Sequence, residues 1–177
     1  MSNKTIIIVL LILNAVVGYL IYHSVKVDVD YTNEVRQIDQ QVIDRLKEVQ
    51  KAQLGYKDTK GKFADNFDSL LYFYKHEQYM EVKSIGDLDK DSLAGLKVDT
   101  VFSNPLEKVF GNKEYNIDKI VLVPPQDTAK FLISAGFIEK NDVQVPVFEV
   151  TDPHPYNRVR TLKVGSMKEA IYSGNWK

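Results

Sequence analysis

Hydrophobic and polar positions follow three regimes along the chain. The first is continuous. Thr5 to His23 is nineteen residues with no Asp, Glu, Lys or Arg and a single amide, Asn14. At about 1.5 Å of rise per residue, such a run is just long enough to cross a hydrocarbon core of about 30 Å as a helix. The second regime is periodic. From Tyr31 to Tyr56, Val35, Ile38, Val42, Leu46, Val49, Gln53 and Tyr56 recur at steps of three and four, and Arg36, Asp39, Gln40, Asp44, Lys47, Glu48 and Lys51 fill the other face. This predicts an amphipathic helix of about seven turns, with Gln53 as the one polar residue in the stripe. The third regime begins after Tyr79, where β-branched and aromatic residues gather in short segments.

Between the first two regimes, no Gly or Pro occurs from Gly18 to Gly55, so one helix is free to run from the membrane through this whole region. The alternative is an extended break. Val25, Val27 and Val29 alternate with Lys26, Asp28 and Asp30, and Asp30 or Thr32 would then cap a new helix. Gly55, Asp58 and Gly61 are read as ending the long helix, with Lys60-Gly61-Lys62 a surface turn. A second short helix is predicted from Asn66 to about His76, capped by Asp65, with Phe67, Leu70, Leu71 and Tyr74 inward and Tyr72 and Phe73 widening that face.

In the third regime the strand candidates are Tyr79–Ile85, Val98–Ser103, Ile117–Val123, Lys130–Phe137 and Val143–Val150. Turn residues separate them at Gly86–Asp91, Asn104–Pro105, Gly111–Lys113, Pro124–Asp127 and Lys140–Asp142. The last connection is short, so its flanking strands form an antiparallel hairpin, and Pro146 marks an edge or a bulge. A further strand is expected at Arg160–Val164. Ser166 and Glu169 have capping-box spacing before a brief helical turn, and Trp176 is expected to fold back on the core. The fold class is therefore α+β: an N-terminal transmembrane helix and a long amphipathic helix packed on an antiparallel sheet. The divisions are residues 1–4 as a tail, 5–23 as an anchor, 24–57 as a stem helix and 58–177 as an extracytoplasmic domain.

A cleaved signal peptide has a basic start, a shorter apolar run and a small-x-small cleavage site. Here the run ends in Tyr19, Leu20, Ile21, Tyr22 and His23, and the tyrosines suit a membrane interface. The segment is read as a retained signal-anchor. Asn14 is read as one tolerated polar residue, against the alternative of a hydrogen bond to another membrane helix. Lys4 and Lys26 nearly balance the positive-inside count. The short tail before the apolar run then places residues 1–4 in the cytoplasm and the domain in the periplasm, on an inner (cytoplasmic) membrane.

Charge and chemistry narrow the function. The formal net charge is -1, from 23 basic and 24 acidic residues, which argues against a nucleic-acid surface. There is no cysteine, so disulfides, cysteine-zinc sites and thiol nucleophiles are excluded. His23, His76 and His154 lie far apart and outside any metal-ligand spacing. GxSxG, GxxxxGK[ST] and GxGxxG are all absent. No cofactor is expected, and the reading is non-enzymatic. The candidate interaction residues are Val35, Ile38, Val42, Leu46 and Val49. Their spacing fits either a coiled-coil seam with a partner or the chain's own core.

Gln50 to Leu71, QKAQLGYKDTKGKFADNFDSLL, resembles the junction of type IV pilin-like and pseudopilin-like proteins. In those families a long helix ends in a Tyr, passes a Lys/Asn-Gly-Lys/Arg-aromatic turn and resumes in a helix carrying Leu. Tyr56, Gly61, Phe63, Leu70 and Leu71 match those places. No Gly precedes Gly18 and no acid lies in the span, so the family's prepilin cleavage site and internal Glu have no counterpart. The inner-membrane alignment proteins of type II secretion and type IV pilus machines share the layout, without a motif. The resemblance implies a scaffold or assembly component of an envelope machine, with the lipid bilayer, other envelope proteins or a second copy as partners through the stem. The alternative is a ligand-binding or sensor ectodomain with a pocket between the second helix and the sheet. A third possibility, an envelope hydrolase, requires a buried carboxylate or Ser-His cluster.

Overall fold

The computed structural model describes residues 3–85, 97–157 and 159–176. The chain is α+β and falls into two units, residues 1–40 and residues 41–177. The first helix, α1, runs without interruption over Asn3–Lys60. The alternation at 25–30 produces no extended break. With neither Gly nor Pro there, nothing interrupts the i→i−4 ladder, and the three valines stay helical despite their branching.

Gly55 lies inside α1 and does not end it. A Cβ there would come within 2.6 Å of the Tyr74 hydroxyl and of Val109 Cγ2, so this glycine serves close packing. The stop is Gly61, at φ +72°, whose N–H donates to Lys57 C=O at 2.7 Å. Helix α2 spans Phe67–His76. Its cap is Asn66, one residue later than expected: Asn66 Oδ1 accepts the Ser69 N–H at 2.7 Å, while the Asp65 carboxylate is taken up by Asn66 Nδ2. The inward residues are Phe67, Leu70, Phe73 and Tyr74. Leu71 is half-buried and Tyr72 is exposed.

The strands form two antiparallel sheets where one was expected. In the first, β1 (Tyr79–Ile85) pairs with β2 (Lys97–Ser103). The turn expected at Gly86–Asp91 lies outside the described residues. In the second, the order is β3 (Leu132–Lys140), β4 (Val143–Thr151), β5 (Lys163–Gly165). β3 and β4 join through Asn141 and Asp142, at φ 52° and 61°, a two-residue type I′ turn. Pro146 sits in unbroken register opposite Phe137, with no bulge. It lies where β4 has no partner on its other side, because β5 pairs only with Glu149–Thr151.

Two expected pieces came out differently. Ile117–Val123 is not a strand: Ile117–Val121 is a 3-10 turn capped by Asn116, which buries Ile117, Ile120 and Val121 at helical spacing. Asn104–Pro105 is not a turn but the start of a short helix, α3 (Pro105–Phe110). Asn104 caps it, Pro105 begins it and Gly111 closes it at φ +71°. Ser166 Oγ accepts the Lys168 N–H, yet no helix follows. Trp176 is half-buried and lies over Gly174, leaving no room for a Cβ there.

The core of the second unit gathers Val42, Leu46, Val49 and Ala52 of α1, Leu70, Phe73 and Tyr74 of α2, Ile120 of the 3-10 turn, and Val147, Phe148, Val150, Leu162 and Val164 around β4 and β5. Removing this apolar surface from water is what holds the unit together. Phe63 joins its two ends. Its ring lies 4.6 Å from Phe148 and 5.2 Å from Tyr172, centre to centre.

Candidate functional site

Residues 6–22 of α1 form a long apolar surface, interrupted only by Asn14, that is exposed throughout. The helix is long and apolar enough to cross a membrane, and the candidate window is wholly exposed. A continuous apolar surface of this kind is excluded from water by lipid or by protein. Asn14 Nδ2 donates to Leu10 C=O at 2.8 Å, which leaves one fewer unpaired N–H on this apolar surface. Tyr19 stacks on His23 at the far end of the run, their rings 6.1 Å apart.

The five stem residues are not equivalent. Val35 and Ile38 are half-buried. Val42, Leu46 and Val49 are 2%, 0% and 0% exposed and belong to the core of the second unit. Only the first two therefore keep surface that another molecule can reach without opening the fold.

The polar groups the sequence left unexplained hold the long helix in its domain. Gln53, fully buried, donates from Nε2 to Ala64 C=O and accepts the Ala64 N–H at Oε1, both at 2.9 Å. One side-chain amide thus satisfies both backbone groups of a buried residue in the α1–α2 connection. Tyr74 donates to Ala52 C=O at 2.9 Å across Gly55. Burial first, then the charges of Tyr79 and Asp58, hold the Tyr74 phenol well above its ordinary range, so it stays a donor. Gln50 Nε2 donates to Tyr172 C=O at 2.7 Å.

Arg45 organises the connection between α3 and β3. Its guanidinium donates to the carbonyls of Lys119 and Leu122, closing the 3-10 turn, and pairs with Glu48 at 3.3 Å and Asp127 at 3.7 Å. Burial and a hydrogen bond to Glu48 raise the Tyr115 phenol above its ordinary range, and Arg45 opposes them. Spacing alone marked Arg45 as one more residue on the polar face; nothing local distinguished it from Arg36. This is a structural junction, since Nη1 and Nε of Arg45 both bind groups of the fold.

Among the described residues no group of three or more His, Asp or Glu side chains is placed to hold a metal. His76 packs on Tyr72, 4.9 Å between rings, and the His154 N–H is taken by Asp152. Phe73 and Tyr74 of α2 are 0% and 2% exposed, and α2 packs against the 3-10 turn and α3. Comparison with known proteins gives no match to a protein family, to a curated protein or to a solved structure. The long apolar N-terminal helix and small antiparallel sheets remain compatible with a pilin-like architecture.

Proposed function

We propose that this chain is a non-enzymatic single-pass envelope protein, a scaffold or assembly component of a membrane-associated machine, laid out like a pilin. Residues 5–23 anchor it in the inner membrane, and the domain stands on the periplasmic side. One observation carries the reading: a single 58-residue helix supplies both an apolar stretch free of contacts and the central element of a packed domain. An apolar segment joined directly to the core helix of a domain suits a part that is anchored and bound by others. The partners are the lipid bilayer and other envelope proteins or a second copy, engaged through Val35, Ile38 and the membrane helix. Val42, Leu46 and Val49 support the stem from within the domain.

Crosslinking in native membranes, followed by identification of the captured proteins, tests this reading. Val35→Asp with Ile38→Asp is expected to release partners while the isolated membrane fraction keeps a folded domain by limited proteolysis. Retention of all crosslinks in that variant would exclude the stem as the docking surface.

A further inference from the structure

We infer that the loop from Pro153 to Leu162 is a second membrane contact: Val159 and Tyr156 enter the headgroup region of the bilayer that holds the anchor, and the loop's arginines engage acidic phospholipid there. The inference rests on the anchored reading above and concerns a different surface from the stem.

Val159 is 95% exposed, more than any large apolar side chain of α1. Hydrogen bonds hold the loop that presents it. Asp152 N–H donates to Leu162 C=O at 3.1 Å and closes the loop at its base. Asp152 Oδ1 accepts the His154 N–H at 2.9 Å. Asn157 accepts twice, the Val159 N–H at Oδ1 and the Arg160 N–H at its C=O, at 3.0 Å and 3.3 Å. Pro153 and Pro155 have fixed φ. Tyr156 is 42% exposed on the same loop. A single exposed valine is ordinary. An apolar tip beside a tyrosine and basic residues is the composition of a segment that sits at a membrane interface.

Charge selects the kind of surface. Pro153–Leu162 contains His154, Arg158 and Arg160 and no Asp or Glu. The acids around it are occupied: Asp152 is buried, Glu149 pairs with Lys163 at 2.9 Å, and Asp127 pairs with Arg45 at 3.7 Å. The loop is thus a local basic patch on a chain of net charge -1, and its complement is an acidic surface. An acidic protein would answer the charge. A valine standing free at a loop tip suits the bilayer interface, which needs no matching pocket.

The strands place this loop. Leu132, Thr151 and Lys163 form one rung across β3, β4 and β5. Just before that rung Phe131 N–H donates to Val121 C=O, and Arg45 of α1 donates to Leu122 C=O. Farther along β4, Pro146 C=O accepts from the Tyr172 hydroxyl, and Tyr172 C=O accepts from Gln50 of α1. Residues 152–162 therefore leave β4 and enter β5 at the Arg45 end of the second unit, the end at which α1 enters it. The anchor keeps a bilayer at hand, so the contact needs little affinity of its own.

The chain has no cysteine, so Val159→Cys takes a single polarity-sensitive dye, and at this exposure the substitution disturbs no packing. In the full-length protein, reconstituted in vesicles containing acidic phospholipid, this dye is expected to show blue-shifted emission and quenching by lipids that carry a nitroxide near the headgroup. A dye at Lys140→Cys, exposed at the hairpin end of β3, is expected to keep its aqueous emission. Replacing the acidic lipid by a zwitterionic one is expected to lower the docked-to-free ratio about tenfold, and Arg160→Gln about fivefold. A dye at Leu13→Cys reports the span in parallel. Aqueous emission at position 159 with quenching at position 13 would overturn the inference and leave the anchor standing; no quenching at position 13 would overturn both. Blue-shifted emission at position 159 without lipid quenching would assign the loop to a second copy, and equal docking to both kinds of vesicle would remove the role of charge. Either result also overturns the inference.

Discussion

Residues 6–31 and residues 42–56 belong to one uninterrupted helix, yet they solve opposite problems. In the first stretch the large apolar side chains are between 42% and 66% exposed; in the second, Leu46, Val49 and Ala52 are fully buried. The backbone is the same in both. What differs is the distribution of polarity. An apolar surface on all sides asks for a non-aqueous surrounding, whereas a stripe asks for one packed face. Helical structure therefore says little about what stabilises each half. The first half depends on its solvent and the second on the specific fit of its neighbours.

The largest expected effect falls on the second stretch. Leu46→Ala should cost about 2–5 kcal/mol by denaturant unfolding of the domain. Val17→Ala, in the first stretch, should change the same measurement by less than about 0.5 kcal/mol. Equal effects would mean that the two stretches share one core. The reverse asymmetry is expected for charge. Leu13→Lys should raise the free energy of membrane integration by about 3 kcal/mol, read as loss of the chain from alkali-washed membranes, with the domain still folded. If the chain stays integrated, the first stretch is not the span.

The two glycines of α1 sharpen the contrast. Gly55→Ala should destabilise by about 1–3 kcal/mol, because its Cβ meets the Tyr74 hydroxyl and Val109. Gly18→Ala meets nothing and should leave the domain unchanged. The smallest effect is confined to alkaline solution. Tyr74 is held protonated in the folded state, above its ordinary value of 10.0. The unfolded chain releases that proton first, so stability is full below pH 10 and falls by about 1.4 kcal/mol per pH unit above it. Tyr74→Phe should reduce that slope at the cost of one hydrogen bond, leaving the part that the raised Tyr79 and Tyr115 phenols contribute.

Much of the fold was legible because its signals were periodic. The apolar run, the stripe from Val42 to Tyr56, and β1, β3 and β4 each repeat one spacing long enough to be read. The misses were short and depended on caps. Asn104, Pro105 and Gly111 together spell a complete helix, N-cap, first residue and C-terminal stop, yet the Asn-Pro pair alone reads as a turn. Ile117, Ile120 and Val121 have helical spacing, but five residues of mostly β-branched side chains suit a strand equally. The stem stripe was legible as a stripe, while its division was not. Whether Val42 meets core and Val35 keeps surface depends on segments far along the chain. Gln53 and Arg45 were invisible for the same reason, since their partners at Ala64, Lys119 and Leu122 are backbone carbonyls or amides that any residue type supplies.

The bond from Gln50 to the Tyr172 carbonyl joins positions 122 residues apart, and Asn175 completes the closure by donating to Lys163 C=O and Thr161 C=O. Such a contact forms late, because its loop must be closed by everything made in between. During synthesis, α1 is therefore in place well before its own domain can seal around it. For that interval Leu46, Val49 and Phe63 stand uncovered, a window in which a chaperone or a protease has first access.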